Sequence, residues 1–336
     1  VIDLEPQTEL TEVLWALPSD IWDRWKAPEN KVAPPVVTLL MEIERTLERF
    51  EGDMEKAAED IAQRLPGRRS ILFAHGVEVL PIKTATLPPA DHTNCYLVGD
   101  PEGNYVLVDP AVRTLEDKKA VETAVKRHNG TPVAVIFTHS HNDHLADMNL
   151  LKQVVDVPVW ASEHTSKSVP VDRVLNDGET LALGAQTWRV VMTSGHHPGH
   201  VCLFSEAGLV SGDMLAGIGT ILIPPHSGEM NDYIEQLERL KALKPHLVFP
   251  SHGPVVAIPE RLIDHYITHR TARHQRVLES VRKGLSDLVH IAADAYADTP
   301  NAHPVLAADQ TLSHLLAHER RGLVRRTGEQ WSVIEE

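Results

Sequence analysis

A run of metal-binding side chains lies at residues 138–144, where the chain reads THSHNDH. Imidazole and carboxylate groups bind divalent metal ions and carry protons, so the run predicts a metal site. The run follows a β-type stretch, AVIFT. Because side chains alternate along extended backbone, His139 and His141 are expected to point to the same side. One metal ion could take that pair, and a second ion could take Asp143 and His144.

Four further candidates also follow β-type runs. The segment TSGHHPGH offers His196 as a ligand, held in a tight loop by glycine and proline. The segment SGD offers Asp213, whose two oxygens could bridge two cations, and SHGP offers His252. Asp109 ends the strand-like YVLVDP and could accept a hydrogen bond from a ligating histidine. Because loops at strand ends can converge, the sequence predicts one site built from all five places.

The elements that position these loops alternate between β-type and helical patterns. Short β-type runs begin near residue 71, and helix-like stretches such as 114–130 and 230–245 separate the later runs. The early strands follow one another directly, which indicates sheets covered by helices rather than a doubly wound sheet. We therefore predict an α/β catalytic domain at 71–258.

Both ends of the chain predict separate, mostly helical regions. Residues 1–70 are acidic, with helical patterns at 34–50 and 54–67, and we interpret them as a structural or interaction extension. Residues 259–336 begin with a long helix opened by proline, and two shorter helices and a β-hairpin at 322–334 follow. Helices followed by a hairpin are similar to a winged-helix module.

The composition limits the partners and the compartment. Of 336 residues, 42% are hydrophobic, which provides a sizeable core, and no apolar stretch is long enough to span a bilayer. The net charge of −15 disfavours binding to nucleic acid or to an anionic membrane. Two cysteines and no signal-peptide pattern at the start of the sequence predict a cytoplasmic protein. Nothing in the sequence predicts the oligomeric state.

The segment HSHNDH resembles the H-x-H-x-D-H motif of the metallo-β-lactamase superfamily, and GHHPGH, SGD and SHGP resemble its later motifs in order. The resemblance spans about 80–255 and implies an αββα sandwich with a dinuclear metal site at one edge. It implies that one ion is bound by His139, His141 and His196, the other by Asp143, His144 and His252, with Asp213 bridging. The mixed donors suit Zn²⁺ best, and manganese or iron also fit.

Three further segments resemble one subfamily, which contains a lactamase-β-like endoribonuclease and bacterial hydrolases of unassigned substrate. They are TNCYLVGD, SGDMLAGIGTILIPP and the helix motif Tyr266-x-x-His269-Arg270. The resemblance implies a C-terminal winged-helix-like module, and it implies that His269 and Arg270 face the cleft. We also expect the loop 215–230 to border the cleft. It is apolar before His226, which suggests a nearby acyl or aromatic group and makes His226 a candidate contact.

The chain departs from the family pattern at two places. The family continues D-H-x-G-G, whereas this chain has Ala146 and Asp147, so the loop geometry is expected to differ. In the later motif, Ser194 stands where proline is common and His197 where threonine is common. His197 is therefore an alternative to its neighbour His196 as the ligand, and we favour His196.

Three functions fit these residues. The first is a hydrolase in which two metal ions share a hydroxide that attacks a small ester, thioester or lactone, while Asp143 orients the nucleophile or passes a proton. The second is a phosphodiesterase or endoribonuclease acting on single-stranded RNA, which four basic against eight acidic residues at 285–336 disfavour. The third is a metal-bearing scaffold that binds a partner. We favour the first, with a small-molecule substrate.

Overall fold

Neighbouring residues of the central strands point to opposite faces, and both faces are apolar. In strand β3 (His92–Gly99), Tyr96 packs in one hydrophobic core and Leu97 packs in another. A strand with two apolar faces has to lie between two hydrophobic layers. The computed structural model describes residues 16–25, 34–63 and 70–334. It satisfies this requirement with an αββα sandwich, which confirms the predicted fold class.

The first sheet has seven strands, whose spatial order is their order in the chain. They are β1 (Ile71–Ala74), β2 (Val77–Lys83), β3, β4 (Asn104–Val108), β5 (Thr131–Ile136), β6 (Val159–Ala161) and β7 (Arg173–Val174). Strands β1 to β4 pair antiparallel, and β4 to β7 pair parallel. The antiparallel part confirms the paired early strands, and the parallel part brings the carboxyl ends of β4 and β5 to one edge.

The second sheet has five strands in the order β12, β11, β10, β9, β8. They are β8 (Thr180–Leu183), β9 (Gln186–Met192), β10 (Val201–Ser205), β11 (Gly208–Gly212) and β12 (Val248–Pro250). Strands β8 to β11 form an antiparallel meander, and β12 adds in parallel to β11. The two sheets enclose the central core, where Trp188 and Phe249 are fully buried.

Helices cover the outer face of each sheet. Helices α4 (Leu115–Arg127) and α5 (Met148–Lys152) pack on the first sheet, and α6 (Met230–Ala242) and α7 (Pro259–Arg282) pack on the second. Helix α4 begins with a capping box, in which Thr114 and Asp117 each accept a hydrogen bond from the backbone of the other. Because α6 crosses between β11 and β12, it provides the connection that two parallel strands need.

The N-terminal region contributes helices α1 (Pro18–Trp25), α2 (Pro34–Arg49) and α3 (Met54–Gln63). Hydrogen bonds join helix α2 to the sandwich: the backbone N–H of Leu72 donates to Thr38 Oγ1 at 3.2 Å, Arg45 donates to the carbonyl of Arg127 at 2.7 Å, and Arg127 donates to Glu42 at 2.9 Å. The two predicted helices are confirmed where the structure describes them. Residues 64–67, the end of the second prediction, lie outside the described residues, and the domain boundary near residue 70 stays a prediction.

The C-terminal region consists of α8 (Leu288–Ala295), α9 (Pro304–Arg320) and a hairpin of β13 (Val324–Thr327) and β14 (Gln330–Val333). Helix α7 places Ile263 in the core beneath the second sheet and Val277 in the C-terminal core, so one continuous helix serves both. The boundary at 258/259 and the likeness to a winged-helix module stay predictions. Across the described segments, no helix is both long enough and apolar enough to cross a bilayer.

Candidate metal centre

The loops that leave four strands meet at one edge of the sandwich and bring seven donor residues together. These are the seven residues for which the sequence predicted metal binding. They form two groups: His139, His141, His196 and Asp213 in the first, and Asp143, His144 and His252 in the second. Within each group, one donor atom from every residue lies within 4.8 Å of the others. Both groups are largely buried, so water competes little for their donor atoms.

In the first group, three imidazole nitrogens converge on one point. His141 Nδ1 lies 2.9 Å from His139 Nε2 and 2.9 Å from His196 Nε2, and the last two nitrogens are 3.3 Å apart. His196 Nδ1 lies 2.8 Å from the carbonyl oxygen of Leu222, which can only accept, so Nδ1 carries the proton. In the neutral ring, Nε2 therefore presents a lone pair to the centre.

The same reasoning fixes the ring of His139. Thr138 Oγ1 donates to a carboxylate oxygen of Asp109 at 2.6 Å, so at 3.0 Å it accepts from His139 Nδ1. His139 Nε2 then also presents a lone pair, and this lone pair faces the one on His196 Nε2. Two lone pairs cannot form a hydrogen bond with each other, whereas a cation between them would satisfy both.

In the second group, outer partners again hold the imidazoles with Nε2 inward. His144 Nδ1 donates to Asp109 Oδ2 at 2.8 Å, and His252 Nδ1 donates to the backbone carbonyl of His92 at 2.9 Å. His252 Nε2 then lies 3.4 Å from Asp143 Oδ2. Hydrogen bonds of this kind on the far side of a ring are typical of histidines that bind metal ions.

Asp213 lies between the two groups. Its Oδ2 is 3.5 Å from both His196 Nε2 and His144 Nε2, and its Oδ1 is 3.4 Å from His252 Nε2. Asp213 Oδ1 and His144 Nε2 are buried, and neither has a hydrogen-bond partner in the described part of the chain. Buried polar atoms without partners are rare. Converging lone pairs around a shared carboxylate fit two divalent cations, and this donor set is compatible with a dinuclear site.

The pKa values of these groups in the absence of metal reflect the same arrangement. Burial lowers the pKa of His139 well below its ordinary range and that of His141 to about 4, so both rings are neutral. Burial also opposes charge on His144 and His252, but the neighbouring carboxylates together outweigh it: Asp213 and Asp109 for His144, and Asp213 and Asp143 for His252. The pKa of His144 is therefore well above its ordinary value, and that of His252 is raised to about 10. In the absence of metal, the protons on His144 and His252 supply the positive charge that balances the neighbouring carboxylates. Bound cations would supply that charge instead.

Asp109 holds two parts of the centre in place. This buried carboxylate accepts from Thr138 N at 2.8 Å and Thr138 Oγ1 at 2.6 Å, as well as from His144 Nδ1. The residue has a positive φ of 47°, a backbone conformation that costs energy for any residue with a side chain. The sequence predicted that Asp109 hydrogen-bonds a ligating histidine, and the structure places it in that contact.

Asp109→Asn is expected to weaken metal binding by about 10- to 100-fold. An amide N–H in place of Oδ2 would face His144 Nδ1, so the ring would move its proton to Nε2, the atom that faces the centre. Competition with a chromophoric chelator measures the affinity. Asp172→Asn is the matched control, because that carboxylate also accepts a backbone N–H, from Val159, but lies outside the centre. Equal affinity in the two variants would contradict the assigned role of Asp109.

Two further residues shape the centre, and the sequence analysis assigned a role to neither. His200 Nδ1 pairs with Thr193 Oγ1 at 2.8 Å, while its Nε2 accepts from the backbone N–H of Asp213 at 2.9 Å. A Cβ at Gly212 would lie 2.4 Å from His200 Nε2, so only glycine fits there. His200 is visible in GHHPGH, but its role depends on a contact between distant strands.

The alternative ligand His197 does not join either group. Its Nε2 pairs with Ser140 Oγ at 2.9 Å, and its Nδ1 accepts from the backbone N–H of Gly199 at 3.1 Å. Both ring nitrogens are therefore occupied, which agrees with our preference for His196.

The unusual Asp147 also has a local role: it is the N-cap of α5 and accepts from Asn149 N at 2.9 Å.

The centre opens into a cavity of about 820 Å³. Apolar side chains form much of its wall, among them Pro88, Pro89, Ile218, Leu222 and Leu306. His269 and Arg270 line the same cavity, as the sequence predicted, and so does the first part of the loop 215–230. His226 is exposed and does not line this cavity, and its contact with substrate stays a prediction. Two prolines precede His226, and the chain turns at residues 225–227.

Comparison with known proteins shows which family the part of the chain that carries this site is similar to. Residues 88–252 match the family described as the metallo-beta-lactamase superfamily. The chain is 27% identical over 218 residues to a "Beta-lactamase-like protein 2 homolog" of Caenorhabditis elegans, covering 62% of this chain and 72% of that protein. The Drosophila melanogaster protein of the same name is 28% identical over 254 residues, covering 69% and 84%. A beta-lactamase domain protein from Burkholderia ambifaria has the same fold, with a TM-score of 0.67 at 24% identity, covering 82% of this chain and 96% of that one.

Proposed function

Since residues 88–252 match the metallo-β-lactamase superfamily, we propose that this protein is a metal-dependent hydrolase of small esters, thioesters or lactones. The observation that carries the proposal is the pair of donor groups on either side of Asp213, with the Nε2 atoms of four histidines held toward the centre. Such an arrangement holds cations, and members of this superfamily are mostly hydrolytic.

We assign the first ion to His139, His141 and His196, the second to Asp143, His144 and His252, and a bridging position to Asp213. When bound, two divalent ions supply a Lewis acid and lower the pKa of a coordinated water toward 7. Asp143 lines the cavity. Burial alone would raise its pKa, but the hydrogen bond with His252 and the positive charges of His144 and His252 together outweigh burial and lower it. Asp143 is therefore a carboxylate at neutral pH, able to orient an attacking water and to accept its proton.

The cavity favours a small substrate with an apolar part. Its volume of about 820 Å³ is in the range of pockets that enclose one small molecule, and its apolar wall suits an acyl or aromatic group. Cleavage of RNA would call for a free basic path beside the centre. Arg276 instead pairs with Asp298 at 2.5 Å, and Arg320 pairs with Glu229 at 3.2 Å. Zinc as the metal and a cytoplasmic location stay predictions.

A substrate panel tests the proposal directly. The protein is stripped of metal with a chelator, reloaded with zinc, manganese or iron, and assayed on aryl esters, acyl-thioesters, lactones and single-stranded RNA. We expect hydrolysis of at least one acyl substrate that disappears on chelation, returns on reloading, and is lost in His139→Ala. The control His290→Ala changes an exposed histidine on α8 and keeps the activity. Cleavage of RNA alone would favour the alternative function, and equal activity of the two variants would refute the assigned site.

A further inference from the structure

One buried arginine beside the metal centre has no anionic partner among the residues that the structure describes. Arg270, on α7, is 3% exposed and lines the cavity into which the centre opens. It donates to Gln310 Oε1 at 2.9 Å, to Thr220 Oγ1 at 3.0 Å and to the carbonyl oxygen of Ile221. All three acceptors are neutral, and so is the Tyr233 ring, whose centre lies 5.6 Å from the guanidinium. Across the described part of the chain, no carboxylate forms an ion pair with Arg270, and its Nε–H lacks a hydrogen-bond partner.

A neighbouring arginine, buried to the same degree, differs from Arg270 because it is paired with a carboxylate. Arg273, one turn further along α7, is also 3% exposed and lines the same cavity. It pairs with the carboxylate of Asp298 at 2.9 Å, and its guanidinium lies 3.9 Å from the ring centre of Tyr296. Burying a guanidinium without a counter-charge is costly, so the uncompensated charge of Arg270 needs another explanation.

Arg270 is also held rigidly. Gln310, on α9, accepts from Ile223 N at 3.2 Å and donates to Ile223 O at 2.8 Å, so its amide oxygen is fixed toward Arg270. Arg270 thus joins α7, α9 and the loop beside the centre. A guanidinium has five N–H groups, and the three hydrogen bonds leave one Nη1–H and the buried Nε–H without a partner among the described residues. A fixed donor with unused N–H groups is prepared to bind an anion.

We propose that Arg270 binds an anionic oxygen group of the substrate, a carboxylate or a phosphate. The substrate is then a small anionic ester, thioester or lactone, with its scissile bond at the metal centre, its negative group at Arg270 and an apolar part between them along Leu222 and Leu306. The inference rests on the proposed function for the reaction, and on Arg270 alone for the anion.

A set of aryl esters with acyl chains of equal length tests the proposal. One chain ends in a methyl group, one in a carboxylate and one in a phosphate. For the protein loaded with metal, we expect kcat/KM to be at least about tenfold higher for an anionic ester than for the neutral one. Preference for either anion supports the proposal, and the larger preference identifies the group. Equal kcat/KM for all three esters overturns it.

Two variants remove the charge of Arg270 in different ways. Arg270→Gln deletes it, whereas Gln310→Glu keeps the arginine and places a carboxylate where the Gln310 amide now accepts its hydrogen bond. We expect both variants to lose the preference, with the ratio of anionic to neutral kcat/KM falling to about one. The matched control is Arg276→Gln, which removes an arginine that pairs with Asp298 and lies outside the cavity lining, and it keeps the preference. A preference that persists in both test variants would overturn the proposal.

A binding measurement separates this proposal from the proposed function. Calorimetric titration of the metal-loaded protein with glutarate and with methyl phosphate reports anion affinity without turnover. Because metal ions also bind these anions, the comparison between variants is decisive, and Arg270→Gln is expected to bind at least about tenfold more weakly than Arg276→Gln. Equal binding refutes the anion site. A protein that binds the anions through Arg270 but hydrolyses no ester refutes only the hydrolase.

Discussion

Asp213→Asn is expected to lower the bound metal from two ions per chain to one or none, and to reduce kcat/KM by about a thousandfold or more. In the structure, one oxygen of Asp213 faces His196 and His144 while the other faces His252. An asparagine of the same shape keeps one of these oxygens and replaces the other by an amide group whose N–H hydrogens would point at a cation. The substitution thereby removes both the bridging donor and a negative charge.

Metal content by mass spectrometry and kcat/KM on the best substrate of the panel are the two measurements. The matched control is Asp264→Asn, which removes a partly exposed carboxylate paired with Lys241 and is expected to leave both values unchanged. Comparison of thermal unfolding shows whether the Asp213 variant is folded. An Asp213→Asn protein that retains two ions and most of its activity would rule out the bridging position.

The donors of the metal centre could be predicted from the sequence because their chemistry is local. Each predicted ligand follows a strand, and a strand end fixes where the next few residues lie. Histidine and aspartate also have few alternative roles when they cluster so densely. The short strands β7 and β8 were not predicted, because they have two and four residues and their exposed positions give no strong pattern.

The supporting contacts could not be predicted in the same way, because they join residues far apart in the chain. His200 acts on Asp213 across the second sheet, and the role proposed for Arg270 depends on its having no ion-paired carboxylate among the described residues. Pattern alone also cannot tell which way a loop faces. The loop 215–230 was correctly expected beside the cavity, but the direction of its last residues depends on packing, and His226 points to solvent.

Gly195→Ala is expected to lower the free energy of unfolding by about 3 kcal/mol or more and to weaken metal binding. Gly195 has a φ of 120°, and a Cβ there would lie 2.4 Å from both the backbone N and the Cα of Tyr233. Tyr233 is fully buried in α6, and its hydroxyl donates to the carbonyl of Met214 at 2.8 Å. Because α6 is fixed in this way, the loop that contains Gly195 would have to move instead. That loop carries the metal-binding candidate His196 at the next position.

Gly178→Ala separates the backbone strain of a residue with a side chain at positive φ from the clash of that side chain with α6. Gly178 also has a positive φ, of 75°, but a Cβ there would meet no atom within 4 Å, so alanine adds only backbone strain of about 1–2 kcal/mol. Urea unfolding of both variants gives the difference, which measures the close approach of the His196 loop to α6. Metal content should fall only in Gly195→Ala, because Gly178 adjoins none of the seven donors. Equal losses of stability in the two variants would mean that the loop with Gly195 shifts without cost. The packing of that loop against α6 would then not be what positions His196.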